Sequence, residues 1–318
     1  MSDVLVSARG LEVHFPVRSP KGLLRAVDGV DLDIHRGETL GLVGESGCGK
    51  STLGNALLRL VPPTGGTVTF DGTDITSLDR RGLKTMRRRA GMVFQDPFAS
   101  LDPRRTVAQT VAEPLEVHGL HGGRQERAAR VGELLELVGL DRSVAGRYPH
   151  EFSGGQRQRV GIARALAGEP DFLVCDEAIA SLDVSVQAQV LNLLRRLQRR
   201  LGLTLLFISH DLSVVQHVSD QLLVLYLGHV MEVGPAAEIY ANPQNPYTQA
   251  LLSAVPRIDF SEQRPARTRL TGELPSPTME HIGCPFASRC PKAQALCQQA
   301  KPKLEPRQGR DVACHFPG

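Results

Sequence analysis

The run Gly44-Glu45-Ser46-Gly47-Cys48-Gly49-Lys50-Ser51 constrains this chain more than any other feature. It follows the apolar stretch Thr39 to Val43 and precedes a helical pattern with Leu53, Leu57 and Leu60 on one face. That order reads as strand, loop and helix, the opening unit of a parallel sheet. The spacing is G-x-x-x-x-G-K-[ST], and each fixed residue type in the pattern has a physical task. Glycines let backbone N–H groups turn inward around phosphate oxygens, Lys50 supplies a point charge to the outer phosphates, and the Ser51 hydroxyl suits Mg²⁺. Ser46, Cys48 and Thr52 belong to the same cradle.

The rest of the chain is consistent with such a sheet. Phe172 to Cys175 and Leu203 to Ile208 are continuous apolar runs, as expected of strands covered on both faces, and Val186, Val190, Leu194, Leu197 and Leu201 between them recur at helical spacing. Alternation at Leu11, Val13 and Phe15 predicts a half-buried strand, and Val27 to Ile34 a short strand pair. From Pro97 to about Pro170 the periodicity is helical. Leu222 to Leu225 and His229 to Val233, joined through Gly228, predict a closing hairpin. Beyond Pro235 the composition shifts, and 257–277 reads as a linker.

Asp176-Glu177 follows the buried run that ends at Cys175. At the carboxyl end of a strand beside the phosphate loop, Asp176 could hold Mg²⁺ through water and Glu177 could polarise an attacking water. Ser153-Gly154-Gly155-Gln156 opens a helix, and its amides could receive a second anion. The 37 Lys and Arg against 34 Asp and Glu leave a formal charge of +3, too mild for a nucleic-acid binder. The longest wholly apolar run, Leu222 to Leu227, is far short of the roughly 18 residues needed to cross a bilayer, and the start of the chain carries no secretory pattern. A cytosolic protein is expected. Four of six cysteines, Cys284, Cys290, Cys297 and Cys314, cluster in the final 35 residues, which in a reducing compartment reads as a metal or cluster site before disulfides. Their C-x5-C-x6-C-x16-C spacing suits iron–sulfur or zinc, and free thiols stay open as well.

In sequence come Gly44 to Ser51, Gln95 in Phe94-Gln95-Asp96-Pro97, Ser153 to Gln156, Asp176-Glu177, Ser181-Leu182-Asp183, and His210 after an apolar strand. That order resembles the ATP-binding cassette of ABC transporters over about residues 4 to 240. The resemblance implies an α/β fold: a P-loop ATPase core with an N-terminal antiparallel β portion and a helical subdomain at about 97–170, within an ATPase domain of 1–240. It also implies a head-to-tail dimer whose nucleotide lies between the phosphate loop of one subunit and the Ser-Gly-Gly-Gln turn of the other. Glu177 is then the general base, His210 meets the γ-phosphate region, Gln95 senses Mg²⁺ and the membrane partner, and Asp183 bridges across the dimer. The chain departs from the family at Phe152, where Leu is usual, and at Ala180-Ser181. It also lacks an aromatic residue between Pro16 and Arg36, which leaves Phe15 nearest the place of an adenine-stacking ring.

Within that family the chain resembles the ATP-binding subunits of dipeptide and oligopeptide importers, and 62–107 resembles the F-type one. The clues are Asp96-Pro97-Phe98-Ala99-Ser100-Leu101-Asp102-Pro103, Cys175-Asp176-Glu177-Ala178, Asp183 to Gln189, and a Cys-bearing tail over 241–318 that carries Asn245-Pro246-Tyr247-Thr248, with Asn where His is usual. The resemblance implies ATP, Mg²⁺ and a [4Fe-4S] cluster on the four tail cysteines. It implies a second homologous ATPase subunit, two permease subunits and an extracytoplasmic substrate-binding protein as partners, no nucleic acid, and a peripheral place on the cytoplasmic face of the inner membrane. Nickel or glutathione cargo in the same role is an alternative, as is an ABC-type ATPase acting on nucleic acid or ribosomes.

Overall fold

The structure is a computed structural model and describes residues 3–18, 21–96, 98–254, 275–276, 278–279 and 281–318. The expected linker at 257–277, apart from 275 and 276, lies outside the described residues, as does Pro97. In chain order the regular elements are β1 (Val4–Arg18), β2 (Lys21–His35), β3 (Thr39–Val43), α1 (Lys50–Leu57), β4 (Gly65–Phe70), β5 (Thr73–Asp74), α2 (Arg80–Arg88) and β6 (Ala90–Val93). Then come α3 (Val107–Val117), α4 (Arg124–Leu137), α5 (Gly154–Leu166), β7 (Phe172–Asp176), α6 (Val184–Leu201), β8 (Thr204–Ile208) and α7 (Leu212–Val218). Last are β9 (Gln221–Tyr226), β10 (His229–Pro235), α8 (Ala236–Ala241), α9 (Pro246–Ser253), α10 (Ala295–Gln299), β11 (Leu304–Arg307) and β12 (Arg310–Ala313). No helix among the described residues is long and apolar enough to cross a membrane.

The chain divides into two compact units, and β1, β2 and β4 give residues to both. The first unit comprises Met1–Val6, Ile34–Glu38 and Thr69–Ile208. Its sheet is parallel, with β6 beside β7 (Ala90 opposite Phe172) and β7 beside β8 (Asp176 opposite Ile208). Every residue of β7 and β8 is buried, which is why their sequences are unbroken rather than alternating. The crossover helix α6 buries Val190, Leu193, Leu194 and Leu197, a stripe at i, i+3, i+4 and i+7, and Gly202 stops it in the left-handed conformation at φ 66°. Between β6 and β7 the described elements are helical: α3, α4 and α5 pack on one another through such residues as Val107, Val111, Leu115, Val131, Leu134 and Leu135.

The second unit comprises Ser7–Asp33, Thr39–Val68 and Ser209–Gly318. Its larger sheet runs β11-β12-β10-β9-β3, with β3 and β9 parallel and the rest antiparallel. The β9–β10 hairpin turns at Leu227 and Gly228, both at positive φ, as anticipated from Gly228. β1 and β2 belong to a separate sheet. Two local expectations need correction. The segment Val27 to Ile34 is part of one 15-residue strand, β2, and not a pair. Leu60 lies beyond the end of α1 and is 44% exposed, so it is no part of that helix's buried face. The expected mixture is present: parallel strands with covering helices, strand-rich parts and helical parts.

Candidate functional site

The phosphate loop connects β3 to α1 in the second unit. A strand buried along its whole length brings the chain to Val43, and the loop then turns through Gly44, Gly47 and Gly49, all at positive φ. At Gly44 a Cβ would collide with the carbonyl oxygen of Leu225, and at Gly49 with that of Ala26, so no other residue fits either place. Gly49 is the N-cap of α1 and provides no side chain to the helix N-terminus, which leaves its amides for an anion. Ser46 and Gly47 are exposed, Cys48 is buried, and Ser51 and Thr52 open the helix's first turn.

Lys50 folds back over this loop. It is 6% exposed, and its Nζ donates to the carbonyl oxygens of Gly44 at 2.8 Å and Glu45 at 2.9 Å. No carboxylate among the described residues pairs with it. A buried ammonium met only by main-chain carbonyls and, at 3.8 Å, the neutral Cys48 sulfur is stabilised further by an anionic ligand, so the residues present fit a polyphosphate. Burial pushes the Cys48 thiol up despite the neighbouring ammonium, so it is a neutral filler. His210, in the same unit, is exposed between Ser209 and Asp211, and Asp211 caps α7.

The carboxylates stand in the first unit. Asp176 ends β7 and is 8% exposed. Glu177 adopts φ 45°, a left-handed conformation unusual for a residue with a side chain, and its N–H donates to the Ile208 carbonyl at 3.0 Å. Gln95 Nε2 donates to Glu177 Oε2 at 2.7 Å, so two residues separated by 82 positions meet directly. Ser153 and Gln156 form a reciprocal capping box at the start of α5. Asp183 is the exposed N-cap residue of α6. Gln187, which the sequence did not single out, holds that turn by donating to the carbonyls of Ile179 and Leu182.

Similarity to known proteins agrees with these features. Residues 27–180 match the ABC transporter family, and residues 231–297 match the family described as oligopeptide/dipeptide transporter, C-terminal region. The oligopeptide transport ATP-binding protein AppF of Bacillus subtilis is 51% identical over 99% of this chain and 98% of its own length. OppF of Salmonella typhimurium, also an oligopeptide transport ATP-binding protein, is 48% identical over 98% of this chain and 96% of its own. The chain belongs to the ABC transporter family. Among solved structures, a dimeric ATP-binding cassette in a post-hydrolysis state with ADP and Pi superposes on this ABC ATPase with a TM-score of 0.66. It has 31% identity and covers 73% of this chain and 99% of that one. The protein cbiO1 of Clostridium perfringens, part of the ABC transporter complex cbiONQ, gives the same TM-score at 30% identity, over 75% of this chain and 91% of that one.

The tail of this ABC ATPase corrects one expectation. Cys284, Cys290, Cys297 and Cys314 line one small cavity, yet no group of three or more His, Cys, Asp or Glu side chains among the described residues is arranged to hold a metal ion. All four are free cysteines. Burial pushes the Cys284 thiol up to about 11 and raises Cys290 and Cys314, so these surroundings favour neutral thiols, whereas a metal or cluster binds thiolate. The iron–sulfur assignment is therefore withdrawn. Packing holds the tail instead: Phe286 is 1% exposed against Tyr226 and Tyr247, and β12 joins the edge of β10.

Proposed function

We propose that this ABC ATPase is the ATP-binding and ATP-hydrolysing subunit of an importer for dipeptides or oligopeptides. The observation that carries the nucleotide assignment is the buried Lys50 ammonium, held by loop carbonyls and lacking a carboxylate partner among the described residues. The match of 231–297 and the names of the relatives support peptide cargo.

In this reading the residues from Gly44 to Thr52 hold the phosphates, and Ser51, Gln95 and Asp176 hold Mg²⁺. Bound Mg²⁺ would offset negative charge on the phosphate oxygens. Glu177 takes a proton from water as its oxygen attacks the γ-phosphorus, and the bond to the bridging oxygen breaks to release ADP. Gln95, donating to one oxygen of Glu177, fixes the carboxylate so that it is oriented before water arrives. His210 contacts the γ-phosphate. Ser153 to Gln156 and Asp183 act on the nucleotide of a second homologous ATPase subunit. Both subunits dock on two permeases at the cytoplasmic face of the inner membrane, with an external substrate-binding protein delivering cargo. Positioned charge is the main requirement of phosphoryl transfer, and a site completed by a second subunit works only when closed.

Glu177→Gln tests the assignment in the assembled complex. It should retain ATP binding and lower turnover by about 100- to 10,000-fold, the usual range for a positioned general base. Turnover like that of the wild type would remove Glu177 as the base.

A further inference from the structure

Glu45, the second residue of the phosphate loop, is held by every polar group it has, and two of its holders come from far along the chain. The Arg289 guanidinium grips its carboxylate with both forks, Nη1 to Oε2 at 2.7 Å and Nη2 to Oε1 at 3.0 Å, across 244 positions of sequence. The Glu45 N–H donates to the Tyr247 hydroxyl at 3.0 Å. The Glu45 carbonyl accepts the Lys50 ammonium at 2.9 Å. All these residues lie in the second unit.

The holders are themselves fixed. The Arg289 side chain is 8% exposed, and its Nη1 also donates to the Tyr226 hydroxyl at 3.3 Å. Tyr247 is fully buried, and its ring packs against Tyr226 at 4.7 Å and Phe286 at 5.3 Å between centroids. Asn245 caps the helix that carries Tyr247 by accepting the Tyr247 N–H. A bidentate, largely buried Arg–carboxylate pair is among the more directional contacts a protein makes.

We propose that Arg289 and Tyr247 are positioning residues for nucleotide binding: they clamp Glu45, and through the Glu45 carbonyl they set where the Lys50 ammonium stands. Arg289 has a second effect. Glu45 places a negative charge within the loop that must receive a polyanion, and the paired guanidinium neutralises it. The C-terminal tail is thereby part of the nucleotide site without touching nucleotide, which rests on the reading of the phosphate loop given under Proposed function.

The test is equilibrium binding of ATP to the purified full chain, with the melting temperature of each nucleotide-free variant as a companion measurement. Arg289→Ala should weaken ATP binding about tenfold, within the usual range for coupling between neighbouring sites. Adding Glu45→Gln to Arg289→Ala should recover most of that loss, because it removes the uncompensated charge. A purely structural role for Arg289 predicts a lower melting temperature with no such recovery. Wild-type affinity in Arg289→Ala, or a double variant as weak as the single one, overturns the proposal. If Arg289→Ala does not fold, Tyr247→Phe keeps the ring packing and removes the acceptor of the Glu45 N–H; it should also weaken binding, and an unchanged affinity overturns the proposal. Lys50→Ala separates the two readings. If it binds ATP like the wild type, the phosphate-loop assignment itself fails; if it loses ATP while Arg289→Ala and Tyr247→Phe do not, only the clamp fails.

Discussion

At the scale of single residues, the position of Glu177 conflicts with local conformational preference. A side chain at φ 45° crowds its own carbonyl, at about 1–2 kcal/mol relative to the right-handed conformation, whereas glycine adopts the same angle freely. The left-handed turn directs the carboxylate to Gln95, so local strain accompanies the geometry the proposed base requires. Two substitutions separate these effects. Both Glu177→Ala and Glu177→Gly remove the carboxylate and should abolish turnover, but the glycine variant should unfold at a higher urea concentration. Its relief of strain exceeds the extra chain entropy of glycine by about 1 kcal/mol or less. An alanine variant as stable as the glycine one would show that the turn is unstrained.

At the scale of elements, α9 shows how one cap fixes a segment. The Asn245 side chain is 1% exposed; it accepts from Tyr247 N–H at 2.9 Å and donates to the carbonyls of Met231 at 3.1 Å and Ala313 at 2.9 Å. It therefore joins a helix N-terminus to β10 and β12 at once. Asn245→Ala leaves three buried polar groups without this partner and should lower the unfolding free energy by about 2–4 kcal/mol, read from urea denaturation. A change within 0.5 kcal/mol, the ordinary range of surface substitutions, would contradict it. The same element marks how far the sequence was legible. β3, β7, β8 and α6 were readable because complete burial or a helical stripe leaves a run or a period in the residues themselves. The β4–β5 hairpin carries a short-range signal of its own, since Asp71-Gly72, at φ 51° and 74°, is a usual two-residue hairpin turn, but its second strand is too short to show a period. β11 and β12 leave little trace in the sequence, because Glu305, Pro306 and Arg307 are exposed and resemble a loop, with Gln308-Gly309 to mark the turn. The chemistry of Gly44 to Ser51, Gln95 and Glu177 is carried by motifs. Arg289 and Tyr247 act through contacts that exist only after folding, so no local spacing reveals them.

At the scale of the whole molecule, the titration of partly buried histidines sets the dependence of stability on acid. In the second unit Asp28 meets His14 at 3.2 Å, His229 at 3.3 Å and Lys301 at 3.4 Å, joining β1, β2, β10 and the tail. Burial pushes the Asp28 carboxyl up, but His229, Lys301 and the bond from His14 outweigh it and hold it below its ordinary value. Burial, aided by the Lys301 charge, pushes His229 down to about 4 even though Asp28 opposes the shift. Burial first, then Lys301 and Arg25, lower His281, while in the first unit burial with Lys84 and Arg88 lowers His118. His229, His281 and His118 each titrate at a lower pH when folded than when unfolded. Between about pH 6.5 and 4 the unfolded chain binds more protons, so stability falls as the pH drops through that window. The carboxyl of Asp28 adds to the fall from about pH 5 downward, because the unfolded chain takes up its proton before the folded one does. His229 alone should contribute a loss of about 3 kcal/mol by pH 4, most of it already developed at pH 5 in proportion to the distance below 6.5. Urea denaturation at pH 7.5, 6 and 5 should therefore show a falling midpoint at constant slope, and His229→Gln, which takes up no proton, should flatten the fall relative to the wild type. Equal midpoints for the wild type at all three values would mean that the histidines are solvated in the folded chain and that the Asp28 cluster does not set its response to acid.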